Sequence, residues 1–128
     1  VTISYDDSDK PTVFYVLSPS CVWCDRNQAN IDKLAELKGN DFRFIGLSLV
    51  EPGLKEYLEK HQLQFPTYTR LTSEAINSLG LGGTPQTIVI SRDGRVLKNW
   101  RGAYIEQVQP EVEEYFQVSL PGLTAGSP

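Results

Sequence analysis

Apolar residues along this chain fall alternately into short unbroken runs and into helical spacings. Val13-Phe14-Tyr15-Val16-Leu17 is a continuous apolar run rich in β-forming residues, which predicts a buried strand from Thr12 to Leu17. Beyond a short turn, Ile31, Leu34 and Ala35 stand at i, i+3 and i+4, and this spacing predicts one long helix from about Val22 to Lys38, ended by Gly39. Phe42 to Leu49 predicts a second strand. Strand, helix and strand in that order make a βαβ unit, hence a parallel pair joined by a right-handed crossover.

The rest of the chain reads in the same way. Val1 to Tyr5 alternates and predicts a short edge strand, followed by a polar turn from Asp6 to Pro11. Pro52 and Gly53 open a helix with Leu54, Tyr57, Leu58 and His61 on one face, and Phe65 to Tyr68 is a short extended piece. Thr72 caps a further helix carrying Ile76 and Leu79. After the breaker Gly80-Leu81-Gly82-Gly83-Thr84-Pro85, Thr87 to Ile90 is a strand. Arg92-Asp93-Gly94-Arg95 is a hairpin turn, and Val96 to Arg101 returns antiparallel. Helical spacing resumes from Ile105 to Phe116, with Pro110 in the first turn or at a kink. The sum is an α/β domain with a mixed sheet flanked by helices.

At 128 residues the chain is long enough for one core, and the reading is a single domain over residues 1–118 with a flexible tail over 119–128. A net charge of −4 with no basic cluster argues against nucleic acid as a partner. No apolar stretch reaches the length of a membrane span. His61 is read as a packing residue, and Trp100 as sheet-face packing.

The only two cysteines, Cys21 and Cys24, are spaced C-x-x-C where the first strand turns into the first helix. The free N–H groups of a helix start stabilise a thiolate. Cys21, first in the turn, is therefore the expected exposed nucleophile, and Cys24, about one turn in, the shielded resolving thiol. A structural zinc site needs four ligands, more than two cysteines and His61 supply. A disulfide that merely staples the turn stays open, although so short a loop gains little from it. A thiol peroxidase also stays open, though C-x-x-C spacing argues against it.

The order of parts resembles the thioredoxin fold, and more closely the TlpA/ResA-like thiol-disulfide oxidoreductases. The resemblance rests on the first strand with Cys21-Val22-Trp23-Cys24, on Gly83-Thr84-Pro85-Gln86-Thr87 before a strand, and on Ser91 to Val96. Pro52 to Tyr68 resembles the helix-and-strand insertion of that group. Ser20 stands where tryptophan is usual, and Val22-Trp23 lacks the usual proline. The resemblance implies disulfide exchange with partner proteins, more as reductant than oxidant, with Cys21–Cys24 as the redox-active pair and no other cofactor. It implies a cis peptide before Pro85, with the Thr84 backbone and Trp23 meeting the substrate. It also implies a carboxylate beside the pair, and Glu51 stands at the matching place, where poor solvation would raise the Cys24 pKa and assist its proton transfer. A monomer is expected, working on protein thiols or disulfides and re-reduced by a membrane-bound electron donor. Because the chain begins on Val1, a signal or anchor is read as absent from it and a periplasmic or otherwise exported location as the expectation, a cytoplasmic one remaining open.

Overall fold

The computed structural model describes residues 10–63 and 65–123, so the edge strand expected at Val1 to Tyr5 lies outside the described residues. The strands are β1 (Thr12–Leu17), β2 (Arg43–Ser48), β3 (Thr67–Tyr68), β4 (Gln86–Ile90) and β5 (Val96–Arg101). They form one sheet in the order β3-β2-β1-β4-β5. β1 runs parallel to β2, with Tyr15 opposite Gly46, and antiparallel to β4, with Tyr15 opposite Thr87. The predicted hairpin is the antiparallel β4–β5 pair. The predicted βαβ unit is β1, two helices and β2.

β1 is central, which explains its unbroken apolar sequence: all six residues are buried. Its side chains alternate between two cores. Val13, Tyr15 and Leu17 join Cys24, Ile31, Leu34, Val112 and Phe116 on one face. Phe14 and Val16 join Ile45, Leu47, Ile88 and Ile90 on the other, against Leu71, Leu79 and Leu81. Each large side chain buried in this way contributes ~1.5–3 kcal/mol. β1 therefore holds both layers to the sheet.

The helix expected from Val22 to Lys38 is two helices, α1 (Val22–Arg26) and α2 (Gln28–Lys38), with Asn27 between them at φ −88° and ψ 0°. The cause is the Asn27 carboxamide, which is buried rather than solvated. Its Oδ1 accepts the Tyr104 N–H at 3.1 Å and the Asn30 Nδ2 at 3.0 Å, while its Nδ2 donates to the Tyr15 hydroxyl at 3.2 Å. One side chain thus ties the helix junction to β1 and to the loop after β5.

α3 (Leu54–His61) and β3 occupy the segment after β2, and α4 (Ser73–Leu79) follows. The Thr72 side chain caps α4 by accepting the Ala75 N–H at 3.0 Å. The last helix, α5 (Val108–Phe116), starts three residues later than its spacing suggested and carries Pro110 in its first turn. Phe116 packs edge-on to Phe42, ring centroids 5.0 Å apart. The tail expected from residue 119 is packed at its start: Leu120 is buried, its N–H bonds Glu113 Oε2 at 2.8 Å, and Gly122 N–H bonds Asn30 Oδ1 at 2.8 Å. Its apolar Leu120 and the buried Asn30 acceptor hold it down; residues 124–128 lie outside the described residues.

Candidate active site

β1 delivers the chain through Ser18-Pro19-Ser20 to the start of α1, where Cys21 is the N-cap with extended backbone, φ −83° and ψ 111°. Its sulfur accepts the Cys24 N–H at 3.0 Å, as a serine or threonine hydroxyl does at an ordinary N-cap. Cys21 is partly exposed, Cys24 is fully buried one turn in, and both are free thiols. Burial, and then the Cys21 sulfur, push the Cys24 thiol far above its ordinary range, while the Ser18 backbone and the Thr84 side chain pull the other way. The two sulfurs therefore occupy unlike surroundings. Cys21 faces solvent at a donor-rich helix start, and Cys24 is held neutral beneath it.

The second wall is the loop before β4. The Thr84–Pro85 peptide is cis, Pro85 is buried, and the Thr84 side chain hydrogen-bonds the Cys24 sulfur. The buried Gln86 secures this loop: Nε2 donates to Gly80 O at 3.2 Å and to Asn99 Oδ1 at 2.9 Å, and Oε1 accepts the Gly82 N–H at 3.3 Å. Trp23 is exposed, with the Arg26 guanidinium 4.7 Å from the centre of its ring, and Val22 beside it is the more exposed of the two. Together they put an apolar rim around Cys21.

A cavity of about 460 Å³ opens on the other side of Cys21, between the active-site turn and α3; Pro19, Val22, Pro52, Tyr57 and His61 line it. His61 Nε2 is 2.9 Å from Asp25 Oδ1, and Lys60 Nζ is 3.7 Å from the same oxygen. Burial keeps the His61 imidazole below its ordinary pKa even with Asp25 beside it. Its ring lies 4.3 Å from that of Tyr57, whose hydroxyl donates to Gln28 Oε1 at 3.1 Å. His61 is thus partly a packing residue, as its spacing with Leu54, Tyr57 and Leu58 suggested. The Asp25 partnership was missed. Its only sequence signal is a carboxylate directly after Cys24.

Glu51 departs from its expected setting. Its side chain is 51% exposed, and both its oxygens pair with the Arg70 guanidinium, one of them with Nη2 at 3.2 Å. Arg70 holds the Glu51 carboxyl below its usual pKa, so Glu51 is neither poorly solvated nor an uncompensated charge. Arg70 reaches it from a left-handed backbone position at φ 58°, which nothing in the sequence signals. Glu51→Gln is therefore expected to leave the Cys24 titration unchanged. Thiolate absorbance against pH in a Cys21→Ser background, with and without Glu51→Gln, checks this. A downward shift on removing the carboxylate would restore the coupling.

The Redoxin family profile matches residues 2–118. The thiol-disulfide oxidoreductase ResA of Halalkalibacterium halodurans is 28% identical over 104 residues, covering 79% of this chain and 57% of that protein. The ResA of Bacillus thuringiensis subsp. konkukian is 24% identical over 105 residues, covering 77% and 59%. The chain thus spans less than two thirds of the length of these curated relatives. Among solved structures, StoA from Bacillus subtilis superposes with a TM-score of 0.66 at 14% identity, covering 80% of this chain and 81% of that one. A putative thioredoxin from Neisseria meningitidis gives a TM-score of 0.70 at 20% identity, covering 88% and 77%. With the family profile matched over residues 2–118, nearly the whole length, the chain belongs to the Redoxin family.

Proposed function

We propose that this protein is a thiol-disulfide oxidoreductase acting on partner proteins. The observation that carries the reading is the asymmetry of the pair: an accessible Cys21 sulfur at the N-cap above a buried Cys24. In the reductive direction the Cys21 thiolate attacks one sulfur of a partner disulfide, and the other leaves as a thiolate and takes up a proton. Cys24 then loses its proton and attacks the Cys21 sulfur of the mixed disulfide. The Cys21–Cys24 disulfide forms, and the partner's second thiolate leaves and is protonated. Two electrons pass from the pair to the partner, and the exchange uses no cofactor beyond the pair.

Thr84 and Pro85 present the backbone against which an extended partner segment pairs. Trp23 supplies apolar contact next to it. In this reading, as the resemblance to the TlpA/ResA-like group implies, the protein acts as a reductant, is exported and is re-reduced by a membrane-bound donor, with α3 and β3 as the insertion of that group. Similarity to proteins named thiol-disulfide oxidoreductase supports the exchange chemistry itself. The protein acts as a monomer in this reading.

The test is turnover. The reduced protein should cleave insulin disulfides in the presence of dithiothreitol faster than dithiothreitol alone, and limiting iodoacetamide should label Cys21 before Cys24. A protein with no turnover above background, or one labelled first at Cys24, would not be the enzyme described. Equilibration against dithiothreitol or glutathione then fixes the direction.

A further inference from the structure

The cavity between the active-site turn and α3 has no part in the exchange scheme, which seats the partner protein against Thr84 and Pro85. Cys21 itself forms part of the cavity wall, so a molecule held there lies beside the nucleophile. At about 460 Å³ the cavity is within the ~300–1,000 Å³ usual for small-ligand pockets, enough for a molecule of amino-acid or dipeptide size. Its walls are fixed at several points. Gly53, at φ 84°, opens α3 so near the turn that a Cβ there would stand 3.3 Å from Pro19 Cβ. The far end of α3 is held to α1 by His61 Nε2 on Asp25 Oδ1 at 2.9 Å, and Tyr57 bonds Gln28 of α2 at 3.1 Å. Ser20 also lines the cavity next to Cys21, and its small side chain leaves room that a larger one would take. The lining is apolar at Pro19, Val22 and Pro52, and α3 adds exposed groups of both signs, the Glu56 carboxylate and the Lys60 ammonium. Lys60 Nζ stands 3.7 Å from Asp25 Oδ1, and an ammonium with three donors can serve a second carboxylate as well. Such a lining complements a short zwitterion, its ammonium toward Glu56 and its carboxylate toward Lys60.

We propose that this cavity is a second substrate site, for low-molecular-weight disulfides with amino-acid ends, which the Cys21–Cys24 pair reduces without a partner protein. The inference rests on the oxidoreductase reading and adds a substrate class to it. The reaction balances. The Cys21 thiolate attacks one sulfur of the small disulfide, and the other leaves and is protonated. The half that remains is joined to Cys21 and occupies the cavity. Cys24 then attacks the Cys21 sulfur and the second small thiol leaves. Two electrons pass from the pair to the small disulfide, and the two protons of the reduced pair end on the two released thiols.

The test uses the pre-reduced protein and three oxidants: cystine, the uncharged 2-hydroxyethyl disulfide, and insulin. Acid quenching and mass spectrometry give the second-order rate constant for oxidation of the pair by each. Lys60→Gln and Glu56→Gln should each lower the cystine constant about two- to fivefold, the scale of one exposed charge pair, and leave the other two constants unchanged. Ser20→Trp, which fills space beside Cys21, should lower the cystine constant relative to the insulin constant. A second readout needs no turnover. The chain has a single histidine, so its imidazole Cε1–H gives one NMR signal. A cysteinyl group attached to Cys21 in the Cys24→Ser variant should move that signal, because His61 lines the cavity. Cystine constants unmoved by both charge variants, equal falls for all three oxidants, or an adduct that leaves the His61 signal in place would overturn the proposal. A wild type oxidised by none of the three would instead remove the oxidoreductase reading itself, whereas one that reduces insulin with no effect of the variants on cystine removes the second site alone.

Discussion

The Cys24→Ser variant is expected to accumulate covalent complexes with disulfide-bearing proteins, and Cys21→Ser to accumulate none. This outcome follows from the placement of the two sulfurs. Cys21 is reachable and its sulfur already receives a backbone N–H from the first turn of α1. Cys24 is fully buried and meets only what is brought to it on Cys21. Without the buried thiol the first exchange proceeds and the second cannot, so turnover falls by on the order of 10³-fold or more, the scale of losing a covalent participant. Non-reducing electrophoresis after incubation with oxidised insulin, followed by mass spectrometry of the adducts, gives the readout. Equal adduct formation by both variants would mean that Cys24 is as accessible as Cys21 in solution.

Asn27→Ala is expected to remove about 3–9 kcal/mol of stability, from losing three buried hydrogen bonds at ~1–3 kcal/mol each where a partner is left stranded. The Tyr104 N–H is the most exposed to this loss, since a backbone donor enclosed in the core has nowhere to turn. The Asn30 amide and the Tyr15 hydroxyl lose partners as well. Against a total stability of ~5–15 kcal/mol, this is enough to bring the domain near its unfolding threshold. Urea unfolding followed by tryptophan fluorescence measures it. A loss below about 1 kcal/mol would mean that water or a rotated neighbour satisfies all three groups.

Local pattern made the strands, the hairpin, the Thr72 cap and the C-x-x-C turn legible, because each depends on residues close in sequence. Gly80, left-handed at φ 66°, ends α4 as a glycine at that place must. The helix break at Asn27 and the setting of Glu51 escape the sequence for a common reason. Both are polar residues whose setting is decided by partners far along the chain: Tyr104 lies 77 positions from Asn27, and Arg70 lies 19 from Glu51. Asn27 falls inside a stretch whose spacing predicts one helix, whereas the fold encloses it and engages three of the four bonding positions of its carboxamide. Glu51 at a strand end reads as an acid waiting for a thiol, whereas the chain returns with a cation for it. The Asp25–His61 contact was hidden in the same way, His61 standing 36 positions after Asp25 at the end of α3.

The Gln86 clamp has a kinetic meaning. Its amide holds Gly80, Gly82 and Asn99, and Arg101 Nη2 adds a 3.0 Å bond to the same Gly80 carbonyl. The loop leading to Thr84 and Pro85 is thereby stitched to β5 before any partner arrives. On the proposed reading, a guest strand that lays itself along this edge finds a rail already set, and the entropy lost on docking falls on the guest alone. Flexible or unfolded polypeptides, which can mould themselves to a fixed rail, are then expected to be captured faster than rigid folded surfaces of the same composition.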